Sequence, residues 1–400
     1  MSKQIPPNLF HRDFLIFLLI VALVFFGASI SGVALVFLIL DITGSASAMS
    51  ITLALKFLPA IFVPIIATFV DRVPLKTPLL VGFFLNGVIL MLLCIGTRLD
   101  ILDIDIIYLI VLFSGFIETA YIPTAQILIP NLVMVKNLEK GNGLISIASQ
   151  SMAFLGLLIG GILVTIIGPS FSIAIEGVCF FIGGYLLVLI RLPNVAASNT
   201  TNTFWTDLCI GLKIIKTSKT VIIIIIMLFL TNVFFTPLQI LLPLHMKVLG
   251  ENGAAGYGIC MALTMIGMVL GNFIITIWGS KLSNLPTIII GWFILGLCYT
   301  GLSILNKFNF ILFWMLIYGF GAAFVNTGTI VFLQKMIPSH VRGRVTGVII
   351  KITQAGTPIM MLFLSHIIEN VTVSQVFFTA SLIIYGFTIV WYKLMKIMGN

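Results

Sequence analysis

The chain alternates between long apolar runs and short polar breaks. Runs such as TVIIIIIMLFL (Thr220–Leu230) are apolar on every face, which rules out the period-two alternation of a barrel strand. About 20 predominantly apolar residues are needed for one helix to cross a bilayer, and most runs have that length. The pattern predicts twelve membrane-spanning helices, near 14–40, 47–70, 77–96, 105–128, 143–167, 170–190, 220–243, 255–279, 285–305, 308–333, 345–367 and 373–392. The first run is too long for a cleavable signal peptide and leads straight into the next span.

Composition closes off the soluble alternative. Only 8% of residues are charged and 60% are hydrophobic, whereas a soluble domain carries roughly 25% charged residues. Lipid is the solvent this surface suits. With the N-terminus inside, sixteen basic residues fall on inner segments and three, Arg98, Lys247 and Lys307, on outer loops; Lys56 and Lys351 lie within spans, which accounts for all 21. That bias places both termini in the cytoplasm of a cell-membrane protein, and the net charge of +9 expresses it rather than nucleic-acid binding.

The longest polar interruption runs from Arg191 to Lys219. It divides the chain into a six-helix bundle over 1–191, a cytoplasmic linker over 192–219 and a second six-helix bundle over 220–400. Within the linker, Phe204–Lys216 has the pattern of an amphipathic helix on the inner membrane surface. Two further stretches tie the halves together: Gln126-Ile-Leu-Ile-Pro130 ends span four, and Gln334-Lys-Met-Ile-Pro338 ends span ten, 208 residues later. Each precedes a basic loop and then a glycine, Gly143 or Gly347. Parallel six-helix repeats are a transporter architecture.

Between spans two and three the chain reads VDRVPLKT (Val70–Thr77). Twelve spans in a 6+6 repeat with Asp-Arg at this place resemble the major facilitator superfamily, whose loop reads roughly G-x-x-x-D-R-x-G-R-K. Ala67 stands for its first glycine, Asp71, Arg72 and Lys76 match, and Pro74-Leu75 replace Gly-Arg. QKMIPSHVRGRVTG (Gln334–Gly347), IPNLVMVKNLEKGNGL (Ile129–Leu144), Leu242–Gly258 and FLPAIFVP (Phe57–Pro64) are similar to stretches of its drug-exporting branch, above all macrolide-efflux-type proteins. The fold expected is therefore all-α integral membrane, with twelve transmembrane helices in two six-helix pseudo-symmetric bundles.

The resemblance implies gating residues. Asp71, with Arg72 and Lys76, would latch the cytoplasmic side against the helix start near Arg342 and Arg344, since a carboxylate favours a helix N-terminus. The plainer reading is an anchor in which Arg72 and Lys76 hold the turn inside and Pro74 stops the helix. Gly143, Gly156, Gly160 and Gly161 in span five resemble the antiporter motif ending G-P-x-x-G-G, with Leu157 in place of proline and Met152 in place of a further glycine. Close helix packing alone also accounts for such glycines.

Four ionisable residues, Lys56, Glu118, Glu176 and Lys351, lie well inside spans, where charge is costly and usually faces a cavity or partner. Glu118, in FSGFIETAYIPT (Phe113–Thr124), is on span four, one of the four spans that line the central cavity in the family this chain resembles. Low-dielectric surroundings favour a carboxyl's neutral form, and proton coupling needs a group that is neutral when loaded and charged when it meets a cationic substrate. A structural ion pair of Glu118 with Lys56 or Lys351 is the alternative. The family often has an arginine where this chain has Ser114, and an acidic residue near Gly27-Ala28; both are absent here. Glu176, on peripheral span six, reads as structural.

The expectation is a secondary active transporter, exporting lipophilic and cationic small molecules in exchange for protons by alternating access. A specific metabolite or siderophore carrier on the same fold, exporter or importer, is the alternative. The expected partners are a small-molecule substrate, protons and the bilayer, with no cofactor, and the expected state is a monomer. No P-loop is present. Gly319-Phe320-Gly321 begins like a dinucleotide fingerprint but has Phe324 at the third glycine and lies inside span ten. The chain is not expected to be an enzyme. The five cysteines are isolated and read as small packing residues.

Overall fold

The computed structural model describes residues 9–62, 74, 76–190, 219–249, 253–278, 284–304, 307–336, 349 and 352–398. Among them are twelve α-helices and no strand. In the first unit they are α1 (Arg12–Thr43), α2 (Ala46–Phe57), α3 (Lys76–Arg98), α4 (Ile104–Leu132), α5 (Leu138–Ile167) and α6 (Pro169–Leu189). In the second they are α7 (Lys219–Leu249), α8 (Gly253–Trp278), α9 (Asn284–Ile304), α10 (Phe308–Met336), α11 (Gly356–Ile367) and α12 (Val373–Met398). A 3-10 turn over Leu58–Phe62 continues α2. Nine helices are long and apolar enough to cross a membrane among the described residues.

The chain divides into two compact units, Met1–Asp207 and Leu208–Asn400. Each repeats the other's internal packing. In the first, α1 packs on α5 and α6, α3 on α4 and α6, and α2 on α4. Shifted by six helices, α7 packs on α11 and α12, α9 on α10 and α12, and α8 on α10. The surface is inverted relative to a soluble domain: Ile166 is 73% exposed on α5, while Glu176 on α6 is 1% exposed. Only a lipid solvent makes that arrangement favourable. The four cysteines among the described residues are free and buried.

Local chemistry sets the turns. Gly44 ends α1 in the left-handed region at φ 64°, where a Cβ is unfavourable. The next residue, Ser45, caps α2 by accepting the Ala48 N–H at 3.2 Å. Thr372 and Gln375 exchange backbone-to-side-chain hydrogen bonds at 2.9 and 3.3 Å ahead of the first turns of α12, a reciprocal capping box.

The seventh helix differs from the sequence-based expectation. The span was expected over 220–243, yet α7 runs on to Leu249 with Pro237 and Pro243 inside it. Membrane helices tolerate proline where neighbours take up the freed backbone groups. Pro237 has no N–H to give the Val233 carbonyl; the next carbonyl along, that of Phe234, accepts the buried Tyr299 hydroxyl of α9 at 2.6 Å. Trp292 and Phe387 close around the same place, with ring centroids 4.9 Å apart. Tyr299→Phe is expected to cost about 1 kcal/mol, read as a lower thermal midpoint of the purified protein. An unchanged midpoint would show that the carbonyl needs no such partner.

Candidate functional site

The first unit carries a buried polar layer built from five of its helices. Glycines bring those helices together. Gly115 on α4 lies against the Lys56 carbonyl of α2, where a Cβ would stand 2.6 Å from that oxygen. The close approach brings Glu118, one turn along α4, near enough to Lys56 for their charges to interact. Gly27 on α1 lies against α6, where a Cβ would be 3.1 Å from the Glu176 Cα. Gly177 on α6 faces the Gly87 carbonyl of α3, at 3.2 Å from a built Cβ.

Lys56 is the centre of this layer. It is half-buried and interacts electrostatically with both Glu118 and Glu176. Glu118 is also half-buried. Glu176 is 1% exposed, neither of its carboxylate oxygens accepts a hydrogen bond of good geometry, and Ser31 of α1 stands beside it. Ser114 donates to Asn86 Oδ1 of α3 at 2.6 Å, leaving the buried Asn86 Nδ2 without a partner. A cavity of about 10 Å³ bounded by Ser31, Lys56 and Ser114 has room for roughly one water-sized molecule.

The electrostatics follow from counting. One ammonium faces two carboxylates, so the trio carries one uncompensated negative charge when all three are ionised. Buried in a membrane-embedded unit, such a charge costs several kcal/mol. Binding one proton removes it. The arrangement is therefore chemically suited to take up and release a proton, or to meet a cation.

The other residues singled out from sequence are placed as follows. Lys76 opens α3 and donates through Nζ to the Val188 and Ile190 carbonyls at 2.8 and 2.9 Å. It thereby caps the C-terminal end of α6, where a cation is favourable. Gly156 and Gly160 pack α5 against α1, with built Cβ atoms 2.6 Å from the Phe26 carbonyl and 2.9 Å from the Ile30 Cα. Gly161 is buried, and Gly143 faces open space. Asp71, Arg72, Arg342, Arg344, Lys351 and the 192–218 part of the linker lie outside the described residues.

Sequence reasoning set Glu176 apart as structural on a peripheral span; the structure brings it into one layer with Lys56 and Glu118. The usable signal was Gly27: a glycine in span one admits a neighbouring backbone closely, and that backbone is Glu176's own.

A family model described as Major Facilitator Superfamily matches residues 17–361. The chain is 23% identical over 164 residues to an uncharacterized MFS-type transporter, YvqJ, of Bacillus subtilis (strain 168); the match spans 41% of this chain and 39% of that protein. The structure is similar to that of the nucleoside transporter NupG (D323A mutant), at a TM-score of 0.81 and 14% identity over 97% of this chain and 100% of that one. It is also similar to a bacterial homologue of the iron transporter ferroportin in an inward-facing state, at a TM-score of 0.75 and 15% identity over 95% and 98%. At such identities the structural likeness concerns the fold. The chain belongs to the Major Facilitator Superfamily and is a multi-pass membrane transporter for a small molecule, not an enzyme.

Proposed function

We propose that this transporter is a proton-coupled exporter of lipophilic, cationic small molecules, working by alternating access in the cell membrane with both termini in the cytoplasm. The observation that carries the reading is the Lys56–Glu118–Glu176 trio, with Glu176 buried and the other two half-buried. A membrane protein keeps such a group at a cost, and proton exchange is a use that returns it. Glu118 is the coupling residue because it is half-buried on a span that the family resemblance assigns to the cavity. Export is supported by the similarity of span five to the antiporter motif, with Gly156 and Gly160 holding α5 on α1. Orientation rests on the sixteen-to-three distribution of basic residues.

The test uses everted membrane vesicles containing the protein, energised to an acid interior. Macrolides, lipophilic dyes and quaternary cations are added in turn while a fluorescent probe follows the pH gradient. Dissipation by members of this panel supports the reading. If none dissipates the gradient while nucleosides or another metabolite class does, the protein is a specific metabolite carrier on the same fold.

Gating is assigned to Asp71 and Arg72. Asp71→Asn is expected to lower transport in this assay at undiminished membrane abundance. Equal transport by wild type and variant would remove Asp71 from the gate and leave the segment as an anchor. Lys76 is assigned to gating on the family motif, alongside its cap on α6.

A further inference from the structure

Glu176 has no role of its own in the coupling scheme above, which assigns the proton to Glu118. Glu176 is 1% exposed and neither of its two oxygens accepts a hydrogen bond of good geometry. An ionised carboxylate in that setting has to be compensated by a cation. The ionisable groups facing it are Lys56 on α2, Glu118 on α4 and, one turn along its own helix, Cys179. From α1 comes Ser31, and from α3 come Leu90 and Met91 beside the adjacent Gly177. Lys56 is thus the compensating cation among these groups, and it is shared with Glu118.

We propose that Glu118 and Glu176 hold a single proton between them, with Lys56 as the exchangeable counter-cation, so that Glu176 is the second seat of the coupling proton. When the Lys56 ammonium pairs with ionised Glu118, the proton rests on Glu176 as a neutral acid. When the O–H bond at Glu176 breaks and the proton binds a Glu118 oxygen, the ammonium turns to the Glu176 carboxylate. The three groups sum to zero charge in both arrangements, so the exchange never leaves an uncompensated charge in the lipid-embedded unit. Ser31 stands beside Glu176 and, with Lys56 and Ser114, supplies the polar part of the lining of a small, otherwise aliphatic cavity. This inference rests on the proton-coupled reading for its role in transport, but its test does not require a substrate.

The test is infrared spectroscopy of the purified, full-length protein in lipid at neutral pH, reading the carboxylic acid C=O band. Wild type is expected to show a band of one carboxyl per chain that shifts when glutamate is supplied as its ¹³C form. Only Glu118 and Glu176 of the five glutamates lie well inside spans. Glu176→Gln and Glu118→Gln are each expected to lose the band, because the remaining carboxylate then has Lys56 to itself. Lys56→Gln is expected to show about twice the wild-type band, since two buried carboxyls without a cation are both neutral. Persistence of the full band in Glu176→Gln or in Glu118→Gln overturns the shared proton. So does the absence of a ¹³C-sensitive band from wild type, which settles the matter even where a variant fails to fold. If the bands behave as expected but no compound dissipates a pH gradient in vesicles, the shared proton stands and the proton-driven export reading falls.

Discussion

Replacing Gly319 with leucine is expected to prevent the second unit from folding. On one side of α10, Gly319 rests on the Thr264 carbonyl of α8, and Gly267 of α8 rests on the Leu316 carbonyl of α10. One turn on, a Cβ at Gly271 would stand 2.7 Å from the Ala323 Cβ and 2.9 Å from the Phe320 carbonyl. This is small-xxx-small packing on both helices. On another side of α10, Gly321 faces the Gly291 carbonyl of α9, at 3.2 Å from a built Cβ. Overpacking a core costs roughly 1–3 kcal/mol when side chains can yield. Here the obstacles are backbone atoms, so the helices must separate and α8 loses its main neighbour. The loss should take a large share of the roughly 5–15 kcal/mol that holds a typical protein folded. Fluorescence-detected size exclusion after detergent extraction checks this: Gly319→Leu should give no monodisperse peak. Gly386→Leu, at a glycine of α12 with nothing within 4 Å, should elute like wild type. A monodisperse Gly319→Leu protein would show that α8 and α10 do not need to touch.

Glu118→Gln is expected to uncouple transport while leaving the protein folded. The amide matches the carboxyl in shape and stays neutral, so it imitates the loaded state permanently. Lys56 then has Glu176 as its one carboxylate partner in the trio, and the site has no proton left to exchange. Net transport driven by a pH gradient should fall to the level of empty vesicles. Exchange of labelled for unlabelled substrate across proteoliposomes should continue, because it requires no change of protonation. A variant that loses both activities while keeping its thermal midpoint would make Glu118 part of substrate binding alone. A variant that keeps both would make it structural.

Much of the fold was legible because a bilayer imposes a length and an apolar composition on each helix. Each of the twelve predicted spans overlaps a described helix, though spans two and eleven show only Ala46–Phe57 and Gly356–Ile367, and the 208-residue match between the ends of spans four and ten belongs to a repeat seen in the helix pairing. Where expectation and structure part, the reason is a contact between helices distant in sequence. The seventh span, expected over 220–243, runs on to Leu249 with Pro243 inside it, since proline in a lipid-embedded helix can be accommodated by neighbours that single-chain patterns do not reveal. Lys76, read from its motif as a gating residue, also has a contact the motif does not name, since its hydrogen bonds go to the end of α6. That geometry lies 112 and 114 residues away along the chain. Lys56, Glu118 and Glu176 were each visible as intramembrane charges. Their assembly depends on Gly115 and Gly27 admitting carbonyl and Cα atoms, and glycine spacing does not name its partner. The Gly319-Phe320-Gly321 run that imitates a nucleotide fingerprint has two neighbours instead, α8 through Gly319 and α9 through Gly321.

The central claim is that proton movement through Glu118 drives export. Its most direct test compares wild type with Glu118→Gln in everted vesicles of equal protein content, energised to an acid interior. A pH probe follows the gradient as a compound from the lipophilic-cation panel is added. The account predicts rapid dissipation with wild type and none with Glu118→Gln. Equal dissipation by the two proteins would contradict it and place the coupling site elsewhere in the chain.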